Sequence, residues 1–298
     1  MFIIKHKKIF IGLSILLVVL SLCSLFFFKL HIGIDFKGGA LTEVVYQTER
    51  VSQESLDADL QALGFGSILL QPTGDLGYIV KSRDLNETEH LSLLKVLSKD
   101  GKSPLEEKSF NSIGPSVGKE LTRKAIIAII LVSIAIICFI AFAFRAVSKP
   151  VSSWRYGLIA IVTLLHDVII PVGIFTLLSH YYGVEVDTLF VVAILTILGL
   201  SVSDTIVIFD RIRENLRHEN INKVNFGEVV GRSLDQSYVR SISTSMTVIL
   251  VLLALVFFGP VSTKYFAIML TAGMFFGTYS SIFLASPLLV LVSERQLK

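Results

Sequence analysis

Six stretches of the chain are apolar and uncharged or nearly so: Ile9 to Phe28, Ala125 to Phe144, Tyr156 to Leu178, Thr188 to Phe209, Ser241 to Phe258 and Tyr265 to Val292. Each is near the roughly 20 residues that a helix needs to cross the hydrocarbon layer of a bilayer. They predict six transmembrane spans. The first is read as a span and not as a cleaved leader. Its apolar core is too long, and the exit Phe26-Phe27-Phe28-Lys29 offers no small-residue cleavage site. The sixth is longer than a span requires, so tilt or a kink near Pro287 is expected.

Between Lys29 and Lys124 the period changes, and short β-type runs alternate with helical ones. Strands are predicted at Leu41 to Tyr46, Ser67 to Gln71, Gly77 to Lys81 and Glu106 to Ile113, with helices at Gln53 to Leu63 and Thr88 to Ser98. The order βαββαβ is that of the ferredoxin-like split βαβ arrangement. Asn86, followed three residues later by Glu89, forms a capping-box signal, and Gly64 and Gly101 stand just past the two helix ends. The expected fold is therefore an all-α membrane bundle of six helices with an inserted α+β domain. The expected division is 1–30 for the tail and first span, 31–123 for the inserted domain, and 124–298 for spans two to six.

Composition agrees with this and removes other readings. The chain has 298 residues, 53% of them hydrophobic and 17% charged, with a mean hydropathy of +0.72. Lys5, Lys7 and Lys8 precede the first span; Arg145, Lys149 and Arg155 join spans two and three; Arg211, Arg213, Arg217, Lys223, Arg232 and Arg240 join four and five; Arg295 and Lys298 end the chain. The opposite short loops hold only Lys264. By the positive-inside rule both termini are expected in the cytoplasm, with the inserted domain extracytoplasmic. That pattern also accounts for the net charge of +3 without a nucleic-acid partner. Cys23 and Cys138 both fall inside apolar spans, so neither a disulfide nor a Cys metal site is expected in the inserted domain.

In that domain Gly101-Lys102-Ser103 lacks the upstream glycine of a phosphate-binding loop, and Asn86-Glu87-Thr88 is a glycosylation triplet of a kind common by chance. No constellation of nucleophile, base and oxyanion donor is visible, so an enzyme is not expected, nor any cofactor or metal. A scaffold or docking role suits the domain better.

Ionisable residues inside a membrane are costly and are read first as functional. Span three carries His166-Asp167 and span four Asp204, with Arg240 at the inner mouth of span five. Asp204 lies five residues before Phe209, about 7 Å of helix rise and within reach of a long arginine side chain. A proton relay through Asp204 and Arg240 and a static pair that fixes helix packing are both compatible with this. Adjacent residues on a helix point about 100° apart, so His166 and Asp167 need not share a partner. Ser201, Ser203 and Thr205 around Asp204 could bond it, carry a water chain, or bond their own backbone. Gly273 and Gly277, at GxxxG spacing in span six and followed by Thr278, Ser280 and Ser281, permit close helix approach.

Taken together, these residues resemble the SecF family of the bacterial Sec protein-export machinery, itself related to one half of an RND-superfamily transporter. The resemblance is carried by Gly33-Ile34-Asp35-Phe36-Lys37-Gly38-Gly39 at the exit of span one and by Gly114-Pro115-Ser116-Val117-Gly118-Lys119-Glu120-Leu121 before span two. His166-Asp167, the run from Ser201 to Asn215 and Gly277-Thr278-Tyr279-Ser280-Ser281 complete it. Leu200, Ser203 and Gly259-Pro260 depart from the usual residues.

The resemblance implies a structural turn at Gly33, Asp35, Gly38 and Gly39. It further implies pairing with SecD, association with the SecYEG channel, and use of the proton-motive force to draw a translocating polypeptide across the membrane. Protons and membrane lipids are then the remaining partners. Asp204 and Arg240 match positions that the family uses in proton passage. Half of an RND-type small-molecule or lipid exporter is the competing expectation.

Overall fold

The computed structural model describes residues 2–143, 152–217 and 225–296. Phe144, Arg145, Lys149, Lys223 and Lys298, which entered the span and loop-charge predictions, lie outside the described residues, as does the side chain of Arg295. The chain divides into two compact units, Ile32–Ile126 and the remainder.

Helix α1 (Phe2–Lys5) and the first span, α2 (Lys7–Phe28), open the helical unit. In the inserted unit a short α3 (Ile34–Lys37) leads into β1 (Gly39–Tyr46), α4 (Gln53–Ala62), β2 (Leu69–Thr73), β3 (Gly77–Ser82), α5 (Glu87–Leu97) and β4 (Leu105–Ile113). The sheet order is β2-β3-β1-β4 with every neighbour antiparallel, the ferredoxin-like arrangement. Alternation along β1 sends Ala40, Thr42, Val44 and Tyr46 inward. They meet Leu56 and Leu60 of α4, Leu93 and Leu97 of α5, and Tyr78 and Val80 of β3 in one apolar core. Tyr46 donates its hydroxyl to Leu97 O at 2.9 Å, and burial pushes its phenol up to about 12. The capping box forms: Asn86 Oδ1 accepts from Glu89 N at 2.9 Å, and Glu89 Oε2 accepts from Asn86 N at 3.0 Å.

At the entry to this unit, Gly33 precedes the first turn of α3, and Asp35 lies within that turn. Gly38 has φ +80° and Gly39 φ +137°, and a Cβ on Gly38 would stand 2.9 Å from the Pro115 Cα. A side chain is excluded at that position both by conformation and by space. The glycine-rich turn is thus packed against the backbone that begins α6.

The remaining spans are α6 (Pro115–Ala143), α7 (Ser153–Tyr182), α8 (Thr188–Arg217), α9 (Phe226–Phe258) and α10 (Val261–Ser280). The last continues through a π-turn, Ser281–Ala285, into α11 (Ser286–Gln296). Among the described residues six helices are therefore long and apolar enough to cross a membrane. Three extend well beyond the predicted stretches: α6 starts at Pro115, ahead of Ala125, α8 runs eight residues past Phe209, and α9 starts at Phe226, ahead of Ser241. Hydropathy marks only the part of a helix suited to hydrocarbon, whereas the backbone ladder continues through polar residues. In the sixth span the departure from regularity is the π-turn immediately before Pro287, whose missing N–H removes one ladder bond.

The centre of the bundle is made by α7 and the sixth span, Ser262–Glu294, each 56% buried along its most apolar stretch, whereas α6 buries only 6%. The helix α2 buries serines alone, Ser14, Ser21 and Ser24. It crosses α7 at Gly173, where an added Cβ would stand 2.4 Å from the Ser21 Cβ and where Ser24 donates to the carbonyl at 3.0 Å.

Candidate functional site

Two carboxylates sit in the interior of the bundle, each held by hydroxyls from neighbouring helices. Asp167 of α7 is fully buried. Its Oδ1 accepts from His166 Nδ1 at 2.7 Å, and its Oδ2 accepts from Ser280 of α10 at 2.7 Å and from Ser201 of α8. Asp204, one turn along α8 from Ser201, is half-buried; its Oδ2 accepts from Thr278 of α10 at 3.2 Å and from Ser245 of α9 at 3.3 Å. The Thr278 and Ser245 hydroxyls also lie within hydrogen-bond distance of each other, so they touch one another as well as the acid. Helix α10 therefore offers one hydroxyl to each carboxylate.

This approach depends on small residues. A Cβ on Gly277 would stand 3.2 Å from the Ser201 Cβ, and one on Gly273 would stand 2.3 Å from the Ile197 side chain. Glycine at these positions lets α10 lie against α8 closely enough for Ser201 and Ser280 to meet at one oxygen.

His166 is 3% exposed, and its Nε2 has no hydrogen-bond partner among the described residues. With Nδ1–H given to Asp167, that nitrogen is a bare acceptor when the ring is neutral. The ring stacks on Tyr279 of α10 at 6.2 Å between centroids. The Tyr279 hydroxyl in turn donates to Phe10 O of α2 at 3.4 Å and accepts from Ser14 at 3.5 Å.

The prediction that Asp204 and Arg240 are partners is not what the structure holds. Arg240 is exposed, and no ion pair joins it to Asp204 among the described residues. The reason lies in position along α9: the residue that reaches Asp204 is Ser245, five places on from Arg240, on a face that also buries Ser233, Ser237 and Ser241. Of the three hydroxyls predicted around Asp204, Ser201 bonds Asp167 and Thr205 bonds the backbone of Ser201 at 3.4 Å. Ser203 is exposed. Ser203 lies about 200° around the helix from Ser201, so the 3.6-residue period alone could have separated them.

Ser245 and the acid-bonding roles of Thr278 and Ser280 were missed. The available signals were the repeat of serine at every fourth position from 233 to 245 and the hydroxyl stripe already noted after Gly277. Beyond Asp204, the run to Asn215 ties α8 to α9: Arg211 Nε donates to Gln236 Oε1 at 2.8 Å, and Asn215 Nδ2 donates to Ser233 Oγ and Gln236 Oε1, both at 2.8 Å. Among the described residues no cluster of His, Cys, Asp and Glu is arranged to hold a metal ion.

Residues 93–295 match the family described as "Protein export membrane protein SecD/SecF, C-terminal". The chain is 42% identical to protein translocase subunit SecF of Thermobaculum terrenum, over 97% of this chain and 92% of that one. It is 33% identical to protein translocase subunit SecDF of Bacillus subtilis, where it covers 99% of itself and 38% of the relative. The solved structure of SecDF from Thermus thermophilus, described as a translocon-associated membrane protein, superposes with a TM-score of 0.81 at 29% identity. That match takes in 98% of this chain and 38% of the SecDF chain, so the chain spans about two fifths of the SecDF proteins it resembles. With its six apolar helices, its four-stranded ferredoxin-like insert and this match along nearly its whole length, the chain belongs to the SecD/SecF family of protein-export membrane proteins.

Proposed function

We propose that the chain is an accessory subunit of the Sec protein translocase that works beside a SecD partner and uses the proton-motive force to promote polypeptide export. The observation that carries this reading is the pair of carboxylates, Asp167 and Asp204, inside the bundle with hydroxyl donors from three different helices. A charge in hydrocarbon is costly, and hydroxyls accommodate both protonation states because each can donate or accept. A proton gained or lost by such an acid changes which packing of the surrounding helices is the more stable.

In this reading both termini are cytoplasmic, the Ile32–Ile126 domain is extracytoplasmic, and the bundle is the half that senses protons while the domain is the half that is moved. Relatives that join SecD and SecF in one chain support SecD as the partner. The SecYEG channel, the translocating polypeptide and bilayer lipids complete the assembly. The proton path runs through Asp204 and the His166–Asp167 pair. Arg240, exposed on α9, belongs to the path only as a surface cation near its cytoplasmic end. Names shared by the relatives above concern protein translocation and lend nothing to the exporter reading.

The test is export into inverted membrane vesicles energised by a proton gradient. Asp204→Asn should abolish the gradient-driven part of export and leave the ATP-driven part in place, while Asp204→Glu retains a measurable share. Gradient-driven export at the wild-type rate in Asp204→Asn would overturn the reading.

A further inference from the structure

The hydroxyls that reach the two acids each have a second acceptor within range. Thr278 Oγ1 lies 3.2 Å from Asp204 Oδ2 and 2.9 Å from Met274 O of its own helix. Ser280 Oγ lies 2.7 Å from Asp167 Oδ2 and 3.0 Å from Gly277 O. Ser245 Oγ lies 3.3 Å from Asp204 Oδ2 and 2.9 Å from Ser241 O. A hydroxyl has a single proton to donate, so each of these groups must choose between a carboxylate oxygen and a backbone carbonyl about one turn earlier, with Ser245 Oγ a third acceptor open to Thr278.

The choice depends on the charge of the acid. An ionised carboxylate only accepts, and a charge-assisted bond is about twice as strong as a neutral one, so the hydroxyl proton points at the acid. A carboxyl that has gained a proton donates from that oxygen. The hydroxyl then accepts, and its own proton turns to the carbonyl. On α10 the hydroxyls placed to take that proton are Thr278 for Asp204 and Ser280 for Asp167, each sharing its carboxylate oxygen with one other hydroxyl, Ser245 or Ser201, directly before the π-turn Ser281–Ala285. Hydroxyls bonded back to a carbonyl of the preceding turn bend helices, and a π-turn is where the regular ladder is already broken.

We infer that Thr278 and Ser280 are positioning residues through which the protonation of two acids on two other helices is registered on the backbone of one helix, α10, at the start of its π-turn. This rests on the reading that Asp167 and Asp204 exchange protons. The titratable and charged groups facing the pair are His166 of α7, the two acids themselves and Tyr279 of α10. Helix α9 offers Ser241 and Ser245 there, with Arg240 exposed; α2 offers Ser14; the π-turn and α11 contribute the buried Ser281 and Ser286.

The experiment uses the full chain in lipid nanodiscs with its methionines labelled at the carbonyl carbon, followed by infrared spectroscopy from neutral to acid pH. Met274→Leu assigns the Met274 band, and Met246 and Met269 serve as internal references. In the wild type and in Thr278→Ser, acidification should shift the Met274 carbonyl band to lower frequency as it gains a second donor. Thr278→Val should lose that shift. Asp204→Asn should hold the band at its acid position throughout, because the amide donates to Thr278 as the carboxylic acid does. A band that does not move in the wild type, or that moves equally in Thr278→Val, overturns the inference. If the band behaves as expected while Asp204→Asn exports normally, the hydroxyl switch stands and the proton-driven export reading falls. If export requires Asp204 and the band is fixed, the reverse holds.

Discussion

The inserted domain buries almost only apolar side chains, whereas the helical bundle buries many hydroxyls, a histidine and a carboxylate beside its apolar ones. In the domain the interior is Ala40, Val44, Leu56, Leu60, Leu93, Leu97 and their apolar neighbours, with Thr42 and His90 the buried polar exceptions. Among the described residues the interior of the bundle includes His166, Asp167, Thr163, Thr176 and thirteen buried serines, while Phe26, Leu131 and Phe258 face outward. This is the division expected between a unit that folds in water and one that folds in hydrocarbon. Taking leucine out of water is favourable, so the domain is held by apolar area. Hydrocarbon is no worse a place for leucine than a protein interior, so the bundle is held by close approach of small residues and by hydrogen bonds. One chain thus applies two packing rules, and its polar interior is where chemistry is possible.

That contrast breaks in different ways in the two units. The largest expected effect is in the domain, where Leu93→Ala removes volume from a fully buried site and should cost about 2–5 kcal/mol, read as a lower urea midpoint for unfolding of Ile32–Ile126. If the domain were held mainly by hydrogen bonds, the loss would be far smaller. In the bundle the sensitive change is added volume. Gly173→Val should force α2 away from α7 at Ser21, cost about 1–3 kcal/mol, and lower the melting temperature of the detergent-solubilised chain. The smallest effect concerns the exposed Arg83–Glu89 pair, where the bond from the guanidinium holds the Glu89 carboxyl down at about 2. A depressed carboxyl contributes stability that is complete above its ordinary 4.5 and is lost as pH falls towards about 2. Arg83→Ala should return Glu89 towards the ordinary range and flatten that slope, the small loss of stability being present at pH 7 and vanishing towards about pH 2, as pH-dependent unfolding of the full chain would show.

Much of this architecture was legible in one dimension. Span positions follow from length and hydropathy, and the βαββαβ order follows from a change of period, because both depend on neighbours in sequence. The capping box at Asn86 and Glu89 was legible for the same reason. So was the presence of Asp167 and Asp204 at membrane depth. Their partners were not. Reach along the helix axis made Arg240 a natural partner for Asp204, yet the donors are Ser245 and Thr278.

What the sequence determined by itself is therefore which residues enter the bundle and which domain interrupts it. Only the tertiary structure decided which hydroxyl meets which acid. That outcome depends on how α8, α9 and α10 are rotated against one another, and the rotation is fixed by contacts such as Gly273 on Ile197 and Gly277 on Ser201. A turn of one helix by a single residue carries a side chain about 100° around its axis, enough to exchange a buried serine for an exposed arginine. Hydropathy and loop charge carry no term for that angle.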